Sequence, residues 1–161
     1  MTALSIDIVA VGRLKERFWR EAADEYSKRL AAYLTLKVWE IDDKAPLALS
    51  DAETLAKEAK DIETCLTHQK LAHPLILLDS RGVMTSSEAL AELLAQQEMS
   101  GQPKMTFIIG GSLGVDKSIA LSADQRMSFG PITLPHNLAR IVLLEQLYRA
   151  CRINRNEPYH K

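Results

Sequence analysis

Short apolar runs alternate along the chain with longer stretches in which apolar residues recur every three or four positions. The short runs predict five strands, at 4–12, 34–42, 74–79, 105–110 and 125–130. The longer stretches predict five helices, at 14–33, 50–66, 86–101, 116–123 and 135–152. Strict alternation of this kind predicts an α/β fold with a mostly parallel sheet flanked by helices. Ligands of such sheets bind at the carboxyl ends of the strands.

Individual residues mark some of the boundaries. Ser50 and Glu53 have the spacing of a capping box, which predicts that the second helix starts at Ser50. Pro135 stands near the first turn of the last helix, where its missing N–H costs little. The segment 43–49 contains Pro46 and is expected to be a surface loop. No repeat or long linker interrupts the sequence, so we expect a single domain over residues 1–161.

The composition excludes several classes of protein. Apolar residues make up 47% of the chain and charged residues 25%, which are values of a globular protein rather than a disordered or fibrous one. No apolar run reaches the roughly 18 residues of a membrane span, and no cleavable leader is recognisable, so we expect a cytoplasmic protein. Cys65 and Cys151 lack the spacing of a disulfide framework or metal site, and we expect partly buried, unreactive thiols and no metal.

The charge is distributed unevenly although the net charge is only −1. Lysines and arginines outnumber acidic residues after Glu98, and half of them lie in YRACRINRNEPYHK at the C-terminus. One explanation is a solvated helix end, because cations favour helix C-termini. The other is a patch that binds phosphate groups.

The fourth predicted strand runs into three glycines, in FIIGGSLG at 107–114. A dinucleotide fingerprint requires GxGxxG in the first βα unit with an acidic residue about 20 positions later, and neither condition is met. A P-loop requires a Lys-Ser/Thr pair after the last glycine, and this pair is absent. The segment therefore predicts either a close approach of backbone to a ligand of another kind, or glycines that only relieve crowding at a strand exit.

Two further strand ends can share a site with these glycines. The third predicted strand ends at Leu78 and Asp79, and the fifth continues into FGPITLPH at 129–136. Pro131 and Pro135 stiffen this last loop and leave backbone groups outside any ladder, so the loop can read the edge of a heteroaromatic ring. A rigid connector into the final helix is the alternative interpretation.

Several stretches together resemble the ribosomal RNA large subunit methyltransferases of the SPOUT superfamily, which methylate N3 of a pseudouridine in 23S rRNA. These stretches are IVAVGRLKERFWREAADEYSKRL, FIIGGSLG, SFGPITLPHNLARIVLLEQLYRA and the terminal PYHK. The resemblance implies an α/β fold with a C-terminal trefoil knot. It also implies a homodimer in which one subunit completes the pocket of the other, and 23S rRNA of the assembled ribosome as the substrate.

The resemblance further implies a pocket for S-adenosylmethionine formed by three loops. The residues that it assigns to this cofactor are Leu78, Gly110, Phe129, Gly130, Pro131, Ile132, Thr133 and Leu134. Methyl transfer from a sulfonium needs no metal. N3 of pseudouridine carries a proton at neutral pH, so a base must remove it or cationic donors must stabilise the developing anion.

For catalysis we hypothesise that His160 accepts the proton, Arg149 orients a phosphate or the base, and Tyr159 stacks on the flipped nucleotide. Arg149 lies four residues after Glu145, so an intrahelical ion pair is an alternative explanation for it. His136, after a proline at a helix start, is either a capping residue or part of the chemistry.

Three other arginines of the last helix and its end have separate expectations. Arg140 falls on a different side of the helix from Arg149 and is expected to face a dimer partner. Arg152 and Arg155 are expected to contact phosphate groups.

Rival functions follow from the same sequence. A nucleotide-dependent oxidoreductase requires an acidic ribose ligand, and residues 30–38 contain none. A SPOUT methyltransferase acting on tRNA and a non-catalytic ribosome-associated binding module remain alternatives.

Overall fold

Strands and helices alternate throughout the computed structural model, which describes residues 3–44 and 48–159. The strands are β1 (Ser5–Val11), β2 (Thr35–Ile41), β3 (Leu75–Met84), β4 (Lys104–Ile109) and β5 (Gln125–Ser128). The helices are α1 (Arg17–Leu30), α2 (Asp51–His68), α3 (Ser87–Glu98), α4 (Lys117–Ser122) and α5 (His136–Asn154). The predicted types and order of these elements are confirmed.

The five strands form one parallel sheet in the order β2-β1-β4-β3-β5. Successive residues of the central strand β4 serve opposite faces, because side chains alternate along a strand. Phe107 packs into the core beneath α1, α3 and α5, whereas Ile108 packs beneath α2 and α4. This burial on both faces explains the continuous apolar runs, and the predicted α/β fold is confirmed. The trefoil knot stays a prediction.

The third strand is longer than its sequence predicts. The charged segment after Leu78 ends the apolar run, yet β3 continues to Met84, with a shift in its pairing to β5 between Leu78 and Val83. Gly82 permits the second part, since a Cβ there would lie 2.6 Å from the carbonyl oxygen of Arg126 on β5. The irregularity takes the residues just after Leu78 out of the ladder at the carboxyl edge of the sheet.

The capping box at the start of α2 is confirmed. Ser50 Oγ accepts a hydrogen bond from the Glu53 N–H at 3.2 Å and donates to Glu53 Oε1 at 2.9 Å. The expected surface loop at 43–49 lies only partly within the described residues. Both cysteines are partly buried as predicted, and burial raises the pKa of Cys65 and raises that of Cys151 to about 12, which keeps the thiols protonated.

Candidate active site

A cleft of about 270 Å³ opens at the carboxyl edge of the sheet, between the ends of β3, β4 and β5 and the start of α5. Its volume lies near the lower end of the range for small-molecule sites, roughly 300 to 1,000 Å³. Most of the residues predicted to bind the cofactor line it, namely Leu78, Gly110, Phe129, Gly130, Ile132, Thr133 and Leu134. Pro131 belongs to the same loop but is not among the lining residues. The fold therefore gathers three distant segments into one site.

A buried hydroxyl fixes the loop that follows β5. Ser128 is 2% exposed, and its Oγ accepts a hydrogen bond from the Gly130 N–H at 3.0 Å. The hydroxyl proton can be donated to the carbonyl oxygen of Gly130 at 3.0 Å or of Ser80 at 3.2 Å. Gly130 has a φ of +117°, which favours glycine, and no atom lies within 4 Å of the position a Cβ would take. Hydrogen bonds to Ser128 thus fix the backbone of the loop, and the space beside the Gly130 Cα is empty.

The glycine turn after β4 is tight. A Cβ on residue 110 would lie 2.6 Å from the Gly114 carbonyl oxygen and 2.8 Å from Val115 Cγ1. The Gly114 N–H also donates to the Gly111 carbonyl oxygen at 3.0 Å. Crowding within the turn therefore explains why residue 110 is a glycine. This agrees with the interpretation that the glycines relieve crowding at a strand exit. Because Gly110 also lines the cleft, the backbone of the same turn forms part of the cleft wall.

Asp79 and His136, which the sequence did not assign to the cofactor, are among the polar residues that line the cleft. Asp79 has a side chain 10% exposed, and its Oδ1 accepts a hydrogen bond from the Arg81 N–H at 2.9 Å. Its Oδ2 and the Nδ1 of His136 are both buried without a hydrogen-bond partner among the described residues. Asn137 Oδ1, not His136, accepts a hydrogen bond from a first-turn N–H of α5, that of Leu138 at 2.9 Å, so the capping interpretation of His136 is wrong.

The carboxyl group of Asp79 is ionised despite its burial. Burial favours the neutral form, but hydrogen bonds from the backbone and side chain of Arg81 outweigh it. The charges of Arg81 and Arg126 act in the same direction, with Arg126 Nη1 3.8 Å from Asp79 Oδ2. Together they hold the pKa of Asp79 below its usual value, so one wall of the cleft carries a fixed negative charge.

A second buried carboxyl group lies behind the glycine turn. Glu58 on α2 is 3% exposed, and its Oε2 accepts a hydrogen bond from the Lys44 N–H at 2.9 Å. A Cβ on Gly111 would lie 3.4 Å from Glu58 Oε1, so this side chain supports the turn from behind. Burial raises the pKa of Glu58, the Lys44 hydrogen bond opposes that rise, and the neighbouring carboxyl group of Asp43 adds to it.

The opposite end of α5 holds an aromatic cluster made by the last described residues. The Tyr159 ring packs edge-on against Tyr148 with centroids 4.9 Å apart, and the Arg149 guanidinium lies 4.7 Å from the Tyr159 ring centre. Tyr159 Oη donates to Glu145 Oε1 at 3.3 Å, and Arg149 Nε donates to the same oxygen at 3.0 Å. The intrahelical ion pair is therefore present, and two of the three predicted catalytic residues meet here. His160 lies outside the described residues.

A second layer of contacts holds the turn after α5 against the end of α1. Tyr33 Oη donates to Glu157 Oε2 at 2.7 Å, and Arg152 donates to Tyr33 Oη at 3.1 Å and forms an ion pair with Glu157. The Arg155 guanidinium lies 4.8 Å from the centre of the Tyr33 ring. Arg152, for which a phosphate contact is predicted, is thus engaged within its own chain.

Arg140 lies inside the chain. Its side chain is 5% exposed, and it donates to Glu40 Oε2 at 2.8 Å and to the Gly12 carbonyl oxygen at 2.8 Å. These bonds join the carboxyl ends of β1 and β2 to α5 near the cleft. The expectation that Arg140 faces a dimer partner is therefore wrong.

The two groups of predicted site residues are far apart in one chain. From His136 to Arg149 the helix α5 rises about 20 Å, at about 1.5 Å per residue. Because Arg149 and Tyr159 also pack against each other on that helix, neither reaches the cleft of its own chain.

Two negative findings apply to residues 3–44 and 48–159. None of their helices combines the length and apolar character needed to cross a bilayer. They also contain no group of three or more His, Cys, Asp or Glu side chains that could hold a metal ion.

Comparisons with known proteins cover nearly the whole chain. The family described as "Predicted SPOUT methyltransferase" matches residues 4–160. The chain is 46% identical over 159 residues to a protein of Carboxydothermus hydrogenoformans named Ribosomal RNA large subunit methyltransferase H, covering 98% of this chain and 100% of that one. It is 43% identical, over the same 98% and 100%, to a protein of that name from Clostridium novyi. The solved tRNA (m1G37) methyltransferase from Aquifex aeolicus shares the fold, with a TM-score of 0.51 and 16% identity over 92% of this chain and 70% of that one.

Proposed function

Because this chain belongs to the SPOUT methyltransferase family, we propose that it methylates N3 of a pseudouridine in 23S ribosomal RNA with S-adenosylmethionine as the donor. The names of relatives at 43% and 46% identity support ribosomal RNA as the substrate. The substrate is the assembled ribosome, which places the reaction in the cytoplasm. The single observation that carries the proposal is the cleft, where the three loops predicted to hold the cofactor meet.

The cleft fits a nucleoside cofactor. Leu78, Phe129 and Ile132 provide apolar walls, and the loop around Gly130 presents backbone without a side chain above it. The buried Oδ2 of Asp79 and the buried Nδ1 of His136, both without partners among the described residues, provide polar groups that a ligand can satisfy. When bound, the cofactor supplies a methyl group that its sulfonium charge has already activated.

The residues of the cleft contribute mainly by alignment. Ser128 and the two prolines keep the loop 129–134 in one shape, so binding costs little conformational entropy. A stiff loop holds the transferable group in line with the nucleophile, and alignment is the principal requirement of a displacement at an activated carbon.

The tail residues act on the RNA. His160 accepts the proton from N3, Arg149 orients a phosphate or the uracil carbonyls, and Tyr159 stacks on the flipped base. Burial, followed by the charge of Glu145, raises the pKa of Tyr159, so its phenol stays neutral and keeps a hydrogen-bond donor. The Arg149 guanidinium over the Tyr159 ring links these two roles in one rigid unit.

The active enzyme is a homodimer in this proposal. Arg149 and Tyr159 lie about 20 Å along α5 from the cleft of their own chain. A site that contains both therefore takes the cleft from one protomer and the tail from the other. This arrangement supports the homodimer implied by the sequence and assigns the tail to the partner of the chain that holds the cofactor.

Primer extension on ribosomal RNA from cells that lack the protein tests substrate and reaction together. We expect loss of a single N3-methyl stop in 23S rRNA, restored by the wild-type chain and not by Gly130→Leu, whose side chain fills the cleft. Purified protein should transfer labelled methyl groups to intact ribosomes. Transfer to tRNA with none to ribosomes would contradict the proposed substrate, and an unchanged 23S pattern in the deletion strain would contradict the function.

His160→Ala tests the proposed base. The methyl-transfer rate at neutral pH should fall about 10²- to 10⁴-fold, a typical contribution of general base catalysis. Binding of S-adenosylhomocysteine, measured by calorimetry, should remain unchanged because in this proposal the cofactor contacts come from the three loops of the cleft. Lys161→Ala is the matched control from the same terminus. Full methyl transfer by His160→Ala would show that another group, or the solvent, accepts the proton.

A further inference from the structure

We infer that Asp79 recognises the cofactor through its buried Oδ2, which accepts a hydrogen bond from an N–H or O–H donor of the bound nucleoside. The inference rests on the proposed function, since it takes the cleft as the site of S-adenosylmethionine. It adds a charged recognition residue to a set that otherwise consists of apolar side chains, glycines and loop backbone.

The two oxygens of this carboxylate have different surroundings. Oδ1 accepts a hydrogen bond from the Arg81 N–H at 2.9 Å, which closes the turn at the irregularity of β3. Oδ2 is enclosed and has no hydrogen-bond partner in the described part of the chain. A carboxylate offers about four lone-pair positions, and an ionised acceptor that is buried without a donor is unfavourable. The protein therefore contains an acceptor whose partner the described residues do not supply.

The neighbouring arginines do not provide that partner. Arg126 Nη1 lies 3.8 Å from Oδ2, beyond hydrogen-bond distance, and Arg81 Nε lies 3.4 Å from the other oxygen, Oδ1. Both arginine side chains are half or more exposed, at 50% and 80%, whereas that of Asp79 is 10% exposed. The arginines thus favour the charged carboxylate without donating to Oδ2, and Asp79 is one of the residues that line the cleft.

The position of Asp79 in the fold favours a ligand contact. It follows Leu78 directly at the carboxyl edge of the sheet, where the register of β3 shifts, and both residues line the cleft. A carboxylate at such an edge can accept from the ribose hydroxyls of a nucleoside or from the ammonium group of its methionine part. Either donor would form a hydrogen bond to the carboxylate, and ligands with and without the amino-acid part distinguish the two.

Calorimetry with S-adenosylhomocysteine on wild type and Asp79→Asn tests the inference. Asparagine preserves the shape of the side chain and the Oδ1 acceptor for the Arg81 N–H, and it removes the charge and the second acceptor. We expect binding to weaken about 10- to 100-fold, the effect of losing a charge-assisted hydrogen bond. Asp24→Asn, an exposed substitution on α1, is the control and should bind as wild type does. If Asp79→Asn fails to fold, Asp79→Ser, which also keeps an acceptor for the Arg81 N–H, serves in its place.

A second ligand identifies the donor group. 5′-Methylthioadenosine keeps the ribose and the adenine and lacks the amino-acid part, so its affinity should drop in Asp79→Asn only if the donor is a ribose hydroxyl or the adenine amino group. An effect confined to S-adenosylhomocysteine would identify the ammonium group. Equal affinity of wild type and Asp79→Asn for S-adenosylhomocysteine would overturn the inference, whereas no binding by the wild type would instead contradict the proposed cofactor.

Discussion

The two ends of α5 differ in how their polar groups are satisfied. At its start, Asp79 Oδ2 and His136 Nδ1 are buried in the cleft without partners among the described residues. At its end, hydrogen bonds and ion pairs link the polar side chains to one another, with Arg152 Nε the exception on the described chain. Groups left unsatisfied inside a cleft indicate a place for a ligand, whereas a network that satisfies itself keeps a fixed shape.

This difference suits the two tasks of the proposed enzyme. The cleft must exchange one small molecule for another at every turnover, so its walls keep free donors and acceptors. The tail must present Arg149 and Tyr159 to a partner protomer's site, and the contacts of Tyr159 with Tyr148 and Glu145 order it in advance. A pre-ordered tail loses less conformational entropy when RNA binds.

The largest expected effect concerns whether the two ends form one site across a dimer. Gly130→Leu, in the cleft, and Arg149→Ala, in the tail, should each reduce methyl transfer at least about 100-fold as homodimers, because each removes groups that position a reactant. When the two variants are mixed and allowed to exchange subunits, half of the dimers carry one intact site, and about a quarter of wild-type activity should return.

The complementation requires its own control. Gly130→Leu mixed with a second cleft variant, Thr133→Trp, has no intact cleft in any combination and should stay inactive. If the Gly130→Leu and Arg149→Ala mixture also stayed inactive after verified subunit exchange, the cleft and the tail of one chain would have to serve the same site.

The next largest expected effect is on the free energy of unfolding, which substitutions at the two ends of α5 should change by different amounts. Arg140→Ala removes the buried cation that bonds to Glu40 and Gly12, and we expect unfolding by urea to show a loss of about 1.5 to 3 kcal/mol, because the Gly12 carbonyl oxygen loses its donor whereas the side chain of Glu40 is 37% exposed. Arg149→Ala removes an i,i+4 pair whose cation is more exposed, at 25% against 5%, and leaves Glu145 bonded to Tyr159, so it should cost about 1 kcal/mol or less. Similar losses for both variants would show that the cleft end of α5 is not the more firmly anchored one.

A smaller effect depends on pH and on Glu58 behind the glycine turn. Its pKa is raised by folding, so the stability it contributes is complete below the usual glutamate pKa of about 4.3 and declines as pH rises through the folded value. Relative to wild type, Glu58→Gln should therefore gain stability between acidic and neutral pH. Urea unfolding across this range measures the difference. Glu63→Gln, on the exposed side of α2, should give a curve parallel to that of wild type, and a parallel curve for Glu58→Gln would contradict the assignment.

The smallest expected effect is at the tail. Tyr159→Phe removes one hydrogen bond of 3.3 Å to Glu145 and keeps the ring that packs on Tyr148, so the free energy of unfolding should fall by only about 0.5 kcal/mol. Stacking on a base also requires only the ring, and methyl transfer should stay within about threefold of wild type, less than the roughly 1 kcal/mol that a hydrogen bond is worth. A large loss of activity would assign a chemical role to the hydroxyl group.

Much of the fold and part of the site follow from local signals. The strands were predicted from continuous apolar runs, and the start of α2 was predicted from the spacing of Ser50 and Glu53. Both signals involve residues that are close in sequence. The prediction of the cofactor residues rests on motifs around Gly110 and in the loop 129–134, and the resemblance to the SPOUT family that these motifs indicate is confirmed by the comparisons. Asp79 gave a weaker signal, an acidic residue that closes an apolar strand at the edge where ligands bind.

Other features of the molecule depend on pairings between segments that are distant in sequence. The extension of β3 to Met84 requires Gly82 to pack against Arg126, and the burial of Arg140 requires Glu40 and Gly12, a hundred or more positions away in sequence. A single sequence does not specify which side chains compensate a buried charge. Sequence reasoning therefore predicts that a charged residue such as Arg140 is exposed. The order of elements, the family and the prediction of three cofactor loops therefore follow from the sequence, whereas packing between distant segments sets which polar groups are satisfied and which are buried without a partner among the described residues.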